Sequence, residues 1–105
     1  MESLELMFCY IWEFRAKPLK IDEFESAYGP DGLWAQLFRK APNYIRTELL
    51  KDPVQKNRYL TVDYWADRQA YERFTLDFRA EYTSLDEVCE DYIEFERHIG
   101  DFEVQ

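Results

Sequence analysis

The segment from Leu6 to Arg15, LMFCYIWEFR, constrains the fold of this chain more than any other. In an extended strand, successive side chains point to opposite faces. The two resulting sets are both apolar: Leu6, Phe8, Tyr10, Trp12 and Phe14 on one face, and Met7, Cys9 and Ile11 on the other. A strand that is apolar on both faces is typical of the interior of a sheet. The segment therefore predicts a central strand that needs cover on two sides.

A second segment, Arg58 to Phe78, changes from strand to helical periodicity within three residues. Before the change, an aliphatic row alternates with a second row that consists of Tyr59, Thr61, Asp63 and Trp65. After Asp67, apolar residues recur at helical spacing, at Tyr71, Phe74 and Phe78. The pattern predicts a strand, then a helix capped by Asp67.

Further elements lie between and after these two segments. One predicted helix carries Asp22 and Glu23 in its first turn and ends before Gly29, and a second follows with Asp31 as its N-cap. A strand at residues 44–51 and a turn at 52–57 form a hairpin with the strand that begins at Arg58.

The C-terminal part continues the helical pattern and ends in a strand. The sequence Ser84, Leu85, Asp86, Glu87 resembles a capping box, which predicts a break near Thr83. Residues 96–104 alternate and predict a fourth strand with a bulge at Gly100.

This order of elements predicts an α+β fold, the ferredoxin-like split βαβ arrangement, in one domain that spans residues 1–105. Its four-stranded antiparallel sheet would carry helices on one face. The other face would be covered by a second copy, giving a homodimer. We expect the aliphatic row (Met7, Cys9, Ile11, Leu60, Val62) to meet the helices. The aromatic row (Phe8, Tyr10, Trp12, Phe14, Tyr59, Trp65) would then face the partner or a cavity beside it.

Composition excludes several classes of function. A net charge of −9 would repel a nucleic-acid backbone or an anionic membrane. No run of about 18 apolar residues and no basic leader is present, so we expect a cytoplasmic protein. One His and two distant Cys provide no metal-ligand spacing, and no phosphate-binding loop occurs.

Three stretches together resemble a known family. They are YIWEFRAKPLKIDEFESAYG, GLWAQLFRKAPNYIRTELLKD and RYLTVDYWADRQAYERF. They resemble the antibiotic biosynthesis monooxygenase superfamily of dimeric α/β barrels over about residues 6–80. The features that carry the resemblance best are Trp65 at a strand end, the helical pattern Asp67, Ala70, Tyr71, Phe74, and the sequence APNYIRTEL.

The resemblance implies one of two chemistries. Members similar to quinol or anthrone monooxygenases oxidise aromatic polyphenols with oxygen and without metal or prosthetic group. Haem-degrading members use an Asn on the first strand, a Trp on the third and a His on the next helix. Only Trp65 matches that second set, so the resemblance favours a cofactor-independent enzyme.

Asp63 is the first candidate catalytic residue, because a carboxylate among aromatic rings is desolvated and can serve as a base. An ion pair with Arg46 or Arg58, or plain hydration, is the alternative. His98 is the second candidate, as an acid or base or simply as a surface residue.

Further candidates would bind a substrate. Trp12 and Trp65 could stack on a planar ring, Tyr10 and Tyr59 could bind a quinone oxygen, and Arg46 could hold an anionic oxygen. Packing or surface ion pairing is the alternative for each of them. The two functions that stay open are a cofactor-independent monooxygenase of a small aromatic substrate, and a non-catalytic dimeric module that binds a small ligand or is structural.

Overall fold

A computed structural model describes residues 7–105 of the chain. Its strands are β1 (Phe8–Ala16), β2 (Tyr44–Lys51), β3 (Arg58–Trp65) and β4 (Ile93–Glu103). Its helices are α1 (Ile21–Tyr28), α2 (Leu33–Phe38), α3 (Arg68–Asp77) and α4 (Arg79–Cys89). Short 3₁₀ turns precede α1 at Pro18–Lys20 and β4 at Glu90–Tyr92.

The four strands form one antiparallel sheet in the order β2-β3-β1-β4. This confirms the ferredoxin-like α+β fold and the central position of β1, whose predicted first residue, Leu6, lies outside the described residues. The bounds predicted for β2 and for its hairpin with β3 are confirmed. The extra residue in β4 is Ile99, beside the predicted position Gly100: Gly100 pairs with Ile11 while His98 pairs with Trp12.

One predicted helix cap is confirmed, and two other predictions of helix ends are wrong. Asp67 is the N-cap of α3, where its Oδ1 accepts the Ala70 N–H at 2.8 Å, as predicted. The predicted break near Thr83 is wrong. The chain bends at Phe78, at φ −119° and ψ 30°, and Ser84 lies inside α4 and caps nothing.

The N-cap of α2 is Gly32, and Asp31 is not the cap that the sequence predicted. Asp31 instead accepts a hydrogen bond from Arg39 at 2.6 Å. A Cβ at Gly32 would lie 2.4 Å from the Ser26 carbonyl oxygen. Because α1 approaches this closely, only a glycine fits between the two helices.

The aromatic row of the sheet faces the helices, so the predicted assignment of the two rows is wrong. The Trp65 ring lies 5.5 Å from that of Phe74 on α3, and the Tyr59 ring 4.7 Å from that of Phe24 on α1. These four side chains are at most 1% exposed and form the centre of the core. The aromatic face of the sheet therefore packs against aromatic side chains of the helices.

The opposite row forms what we call the open face of the sheet: it contains Cys9, Ile11, Glu13, Arg58, Leu60, Val62 and Arg97. Glu13 accepts a hydrogen bond from Arg58 at 2.6 Å and another from Arg97 at 2.9 Å. These charges explain the orientation of the sheet, because an ion cluster is costly to bury under apolar helices. In the described part of the chain, no helix is long and apolar enough to cross a membrane.

Candidate active site

A cavity of about 160 Å³ lies between the aromatic row of the sheet and the helices. Sheet residues that line it are Tyr10, Trp12 and Phe14 of β1, Thr47 of β2, Thr61 and Asp63 of β3, and Glu96 of β4. Helix residues that line it are Tyr28, Trp34, Phe38, Tyr71, Tyr82 and Asp86. The cavity was predicted beside the partner-facing side of the sheet. It lies on the helix side instead, because the two rows are reversed.

Asp63 lies where β3 crosses the cavity, with Tyr10 of β1 on one side and Thr47 of β2 on the other. Thr47 Oγ1 donates a hydrogen bond of 2.7 Å to Asp63 Oδ1. Burial raises the pKa of Asp63 to about 6, and the Thr47 hydrogen bond opposes that rise. Asp63 is thus a carboxylate that is ionised at neutral pH and still basic enough to accept a proton.

The ion pair that was the alternative for Asp63 does not form within the described residues. Arg58 bonds Glu13 and Asp52, and Arg46 lies near Glu48 at 3.6 Å. Asp63 is half-buried, and its hydrogen bond to Thr47 uses one of its two oxygens. The second oxygen has no hydrogen-bond partner in residues 7–105, so it is free to bind a ligand.

Thr47 is held in turn by Tyr44, whose hydroxyl lies 2.7 Å from Thr47 Oγ1. Because Thr47 uses its one proton to bond Asp63, Tyr44 must be the donor of this second bond. The chain Tyr44, Thr47, Asp63 therefore fixes the orientation of the carboxylate. Thr47 was not among the site residues predicted from the sequence, because an isolated Thr in a strand is usual.

Tyr10 and Tyr71 form another wall of the cavity, with ring centroids 4.0 Å apart. Burial is the main cause that raises the pKa of Tyr10 to about 12, and it also raises the pKa of Tyr71. Both hydroxyls therefore keep their protons at neutral pH and can donate hydrogen bonds to a ligand oxygen.

Trp12 lines the cavity, but His98 does not. The His98 ring stacks on the Trp12 ring with centroids 5.0 Å apart, and its Nε2 lies 2.5 Å from Asp101 Oδ1. The structure therefore separates the two predicted catalytic residues: Asp63 borders the cavity, and His98 lies behind Trp12.

Three predicted substrate-binding residues lie away from the cavity. Tyr59 is 1% exposed and donates a hydrogen bond of 2.5 Å to Glu25. Trp65 is fully buried in the core. Arg46 lies over the ring of Tyr64, 4.1 Å from its centroid, and Tyr64 belongs to the open face. These positions agree with the alternatives given above: Tyr59 and Trp65 pack in the core, and Arg46 packs against Tyr64 at the surface.

Two carboxylates of the lining were not found from the sequence. Asp86 and Glu96 border the end of the cavity between α4 and β4, and we call this pair the acidic end. Both have acidic neighbours in the sequence, and such a pattern is typical of a solvated surface. Among residues 7–105, no group of three or more His, Cys, Asp or Glu side chains could hold a metal ion.

Comparison with known structures gives the same architecture. A cofactor-independent oxygenase, SnoaB from Streptomyces nogalater, is 22% identical, with a TM-score of 0.70 over 95% of this chain and 94% of that one. A protein from Caulobacter crescentus CB15 is 13% identical, with a TM-score of 0.75 over 97% and 92%. PA3566 from Pseudomonas aeruginosa is 13% identical, with a TM-score of 0.69 over 99% of each chain. At these identities the likeness shows the fold alone.

Comparison by sequence identifies the family. No protein with curated function matches the chain. The family model for antibiotic biosynthesis monooxygenases matches residues 7–76, which hold β1 to β3 and most of α3. The resemblance that the sequence analysis found over residues 6–80 is thereby confirmed, and this chain belongs to the antibiotic biosynthesis monooxygenase family.

Proposed function

We propose that this protein is a cofactor-independent monooxygenase that oxidises a small aromatic substrate of the quinol or anthrone type. The observation that carries the proposal is Asp63, a carboxylate with a pKa of about 6 on the wall of a cavity lined mainly by aromatic rings. The name of the similar Streptomyces protein, a cofactor-independent oxygenase, supports the same reaction class.

Asp63 would act as the general base. Its raised pKa lies close to neutral pH, which is where a base combines a large ionised fraction with a useful proton affinity. The free oxygen of Asp63 would take a proton from the phenol or from the acidic CH₂ of an anthrone. Tyr10 and Tyr71 would stabilise the anion that results by donating hydrogen bonds to its oxygen.

The substrate itself would supply the electrons. For an anthrone, a CH₂ group and one O₂ become a C=O group and one water: the carbon loses four electrons and the dioxygen gains four. One oxygen atom forms the new carbonyl, and the other leaves as water with the two hydrogens of the CH₂. Asp63 receives the first proton and returns it to the departing oxygen.

The ring-lined walls would hold the substrate and keep water from its carbanion. Tyr10, Trp12 and Phe14 on the sheet and Tyr71 and Phe38 on the helices line the same cavity as Asp63. Planar substrates gain from stacking on such rings, and a dry site preserves a reactive anion. A volume of about 160 Å³ favours a substrate smaller than the drug-sized ligands that fill about 300 to 1,000 Å³.

Oxygen uptake tests this function. Purified protein would be mixed with a panel of quinols and anthrones in an oxygen-electrode cell, and products would be identified by mass spectrometry with ¹⁸O₂. We expect one labelled oxygen atom per product molecule with at least one substrate of the panel. No uptake above the protein-free rate with any of them would contradict the proposal.

A non-catalytic ligand-binding module is the second candidate. The observation in its favour is that His98 lies outside the cavity, so the lining holds no histidine that could act together with Asp63. This candidate predicts ligand binding without turnover. A turnover that is lost in Asp63→Asn would eliminate it.

The proposal includes a homodimer formed through the open face. Leu50, Phe95 and Phe102 point from this face and are each 47% exposed, around the bonded Glu13, Arg58 and Arg97. A second copy would cover these side chains. We also propose a single domain in the cytoplasm, where Cys9 and Cys89 would stay reduced as the free, buried thiols of the structure.

A further inference from the structure

The acidic end of the cavity has a chemistry that the reaction at Asp63 does not use. Asp86 lies on α4 and is half-buried, and Glu96 lies on β4 at the cavity mouth, opposite Phe14 in the sheet. Neither carboxylate forms a hydrogen bond or an ion pair with another side chain of residues 7–105. Burial raises the pKa of Glu96, and the negative charges of Asp86 and Glu90 raise it further.

The lining as a whole carries negative charge that no cation balances. It contains the three carboxylates Asp63, Asp86 and Glu96, and it contains no Lys, Arg or His side chain. An anionic ligand would be repelled by this set. A cation at the acidic end would be attracted, because it would relieve the repulsion between two like charges.

Aromatic rings surround the acidic end. The rings of Trp34 and Tyr82 lie edge to face with centroids 5.0 Å apart, and the Tyr28 ring lies 6.2 Å from Trp34. Phe14 packs on Tyr28 with centroids 4.7 Å apart. Ring faces attract ammonium groups, and an aromatic box with carboxylates at its rim is a usual way for proteins to bind them.

The acidic end and Asp63 belong to opposite ends of the cavity. Glu96 pairs with Phe14 in the sheet, whereas Asp63 pairs with Tyr10, four residues away along β1. Four residues of a strand span about 13 Å. One elongated molecule can therefore present one group to Asp63 and another to the acidic end.

From this arrangement we propose that the cavity takes an aromatic substrate that carries a basic amine, with its hydroxyl at Asp63 and its ammonium group between Asp86, Glu96 and the surrounding rings. The inference rests on the proposed function in that it uses the same cavity and names the substrate class. It adds a specificity site, made of Asp86, Glu96, Trp34 and Tyr82, that is separate from the base.

Binding of three probes with the same phenol ring tests this site. They are tyramine, which is cationic, 4-ethylphenol, which is neutral, and 3-(4-hydroxyphenyl)propionate, which is anionic. Each would be titrated at pH 8 by calorimetry, with the tryptophan fluorescence of the protein as a second signal. We expect tyramine to bind about tenfold more tightly than 4-ethylphenol, and the propionate to bind most weakly.

The double variant Asp86→Asn, Glu96→Gln should lose the preference for tyramine and keep its affinity for 4-ethylphenol. Glu87→Gln is the matched control, since it removes a negative charge from an exposed position of α4 outside the lining. It should keep the preference. Equal binding of all three probes, tightest binding of the propionate, or no binding of any probe would each overturn the inference.

These measurements need no turnover, so they separate this inference from the proposed reaction. A preference for the cationic probe that depends on Asp86 and Glu96, in a protein that consumes no oxygen, would leave the site standing and remove the monooxygenase. Oxygen uptake with neutral quinols, together with no preference among the probes, would support the monooxygenase and overturn the amine-binding site.

Discussion

Thr47 Oγ1 lies 2.7 Å from Asp63 Oδ1 and joins the edge strand β2 to the carboxylate of β3 that borders the cavity. Behind it, the Tyr44 hydroxyl lies 2.7 Å from the same Thr47 oxygen. Two opposing effects therefore set the basicity of Asp63: burial raises its pKa, and the bond from Thr47 lowers it. The net result of these two effects is a pKa of about 6 for the Asp63 carboxyl group.

Removing the Thr47 hydroxyl should raise the pKa of Asp63 further. In Thr47→Val the ionised carboxylate loses its donor, and a hydrogen bond to a charged group corresponds to about one pKa unit. A ¹³C NMR titration of the Asp63 carboxyl carbon measures this shift directly. Thr61→Val is the control, because Thr61 also lines the cavity but has no hydrogen bond to Asp63. Equal titration in both variants would contradict the account.

Asp63 should make the folded protein less stable as pH rises. Its pKa is higher in the folded state, at about 6, than its ordinary value of 3.8, so folding favours the protonated form. The stability that this group contributes is fully present below about pH 4 and is lost as pH rises through 6.

The variant Asp63→Asn does not ionise, so it should escape this loss. Near pH 7 we expect it to be more stable than the natural protein by up to about 3 kcal/mol, and near pH 4 the difference should disappear. Urea unfolding at both values measures it. A difference that does not change with pH would show that Asp63 is not desolvated.

Trp65 should act on stability and leave ligand binding unchanged. Its ring is fully buried, packs on Phe38, Tyr44 and Phe74, and does not itself line the cavity. We expect Trp65→Phe to lower the free energy of unfolding by about 1 to 3 kcal/mol without changing the affinity for a phenol. Trp12→Phe is the comparison: it alters the lining and should weaken binding. Weaker binding in Trp65→Phe alone would place Trp65 at the site after all.

The open face should hold two copies together. Leu50→Glu and Phe102→Glu each put a charge among the apolar side chains of this face, where a partner would leave it unpaired and dry. Light scattering should give twice the mass of one 12.8 kDa chain for the natural protein, and close to one chain for the variants. Leu76→Glu, at a position that is 65% exposed on α3, should stay dimeric. A natural protein of single-chain mass at micromolar concentration would refute the dimer.

Much of the fold could be predicted because its signals are local. Alternation gave the bounds of β2 and β3, and Asp67 before an apolar stripe gave the start of α3. The break near Thr83 was misplaced because the capping-box residues at Ser84 also fit the middle of a helix. Gly32 became the cap of α2 through a close approach of α1, and no local pattern encodes that approach.

The orientation of the sheet could have been inferred from Glu13. This residue alternates with Cys9 and Ile11 on the row that was expected to meet the helices, and Arg58 follows the same row on β3. A charged pair in the middle of a row favours the side without helices. The acidic end could not be found in this way, because Asp86 of α4 and Glu96 of β4 meet at one cavity only in the folded chain.

The rate of oxygen uptake by Asp63→Asn, relative to the natural protein and to Thr61→Val, tests the central claim most directly. The assay would use the substrate of the quinol and anthrone panel that the natural protein oxidises fastest, at pH 7.5. We expect Asp63→Asn to retain its fold and lose activity by about 100-fold or more, as removal of a general base does, while Thr61→Val keeps most of it. Undiminished uptake by a folded Asp63→Asn would show that Asp63 is not the base and would contradict the account.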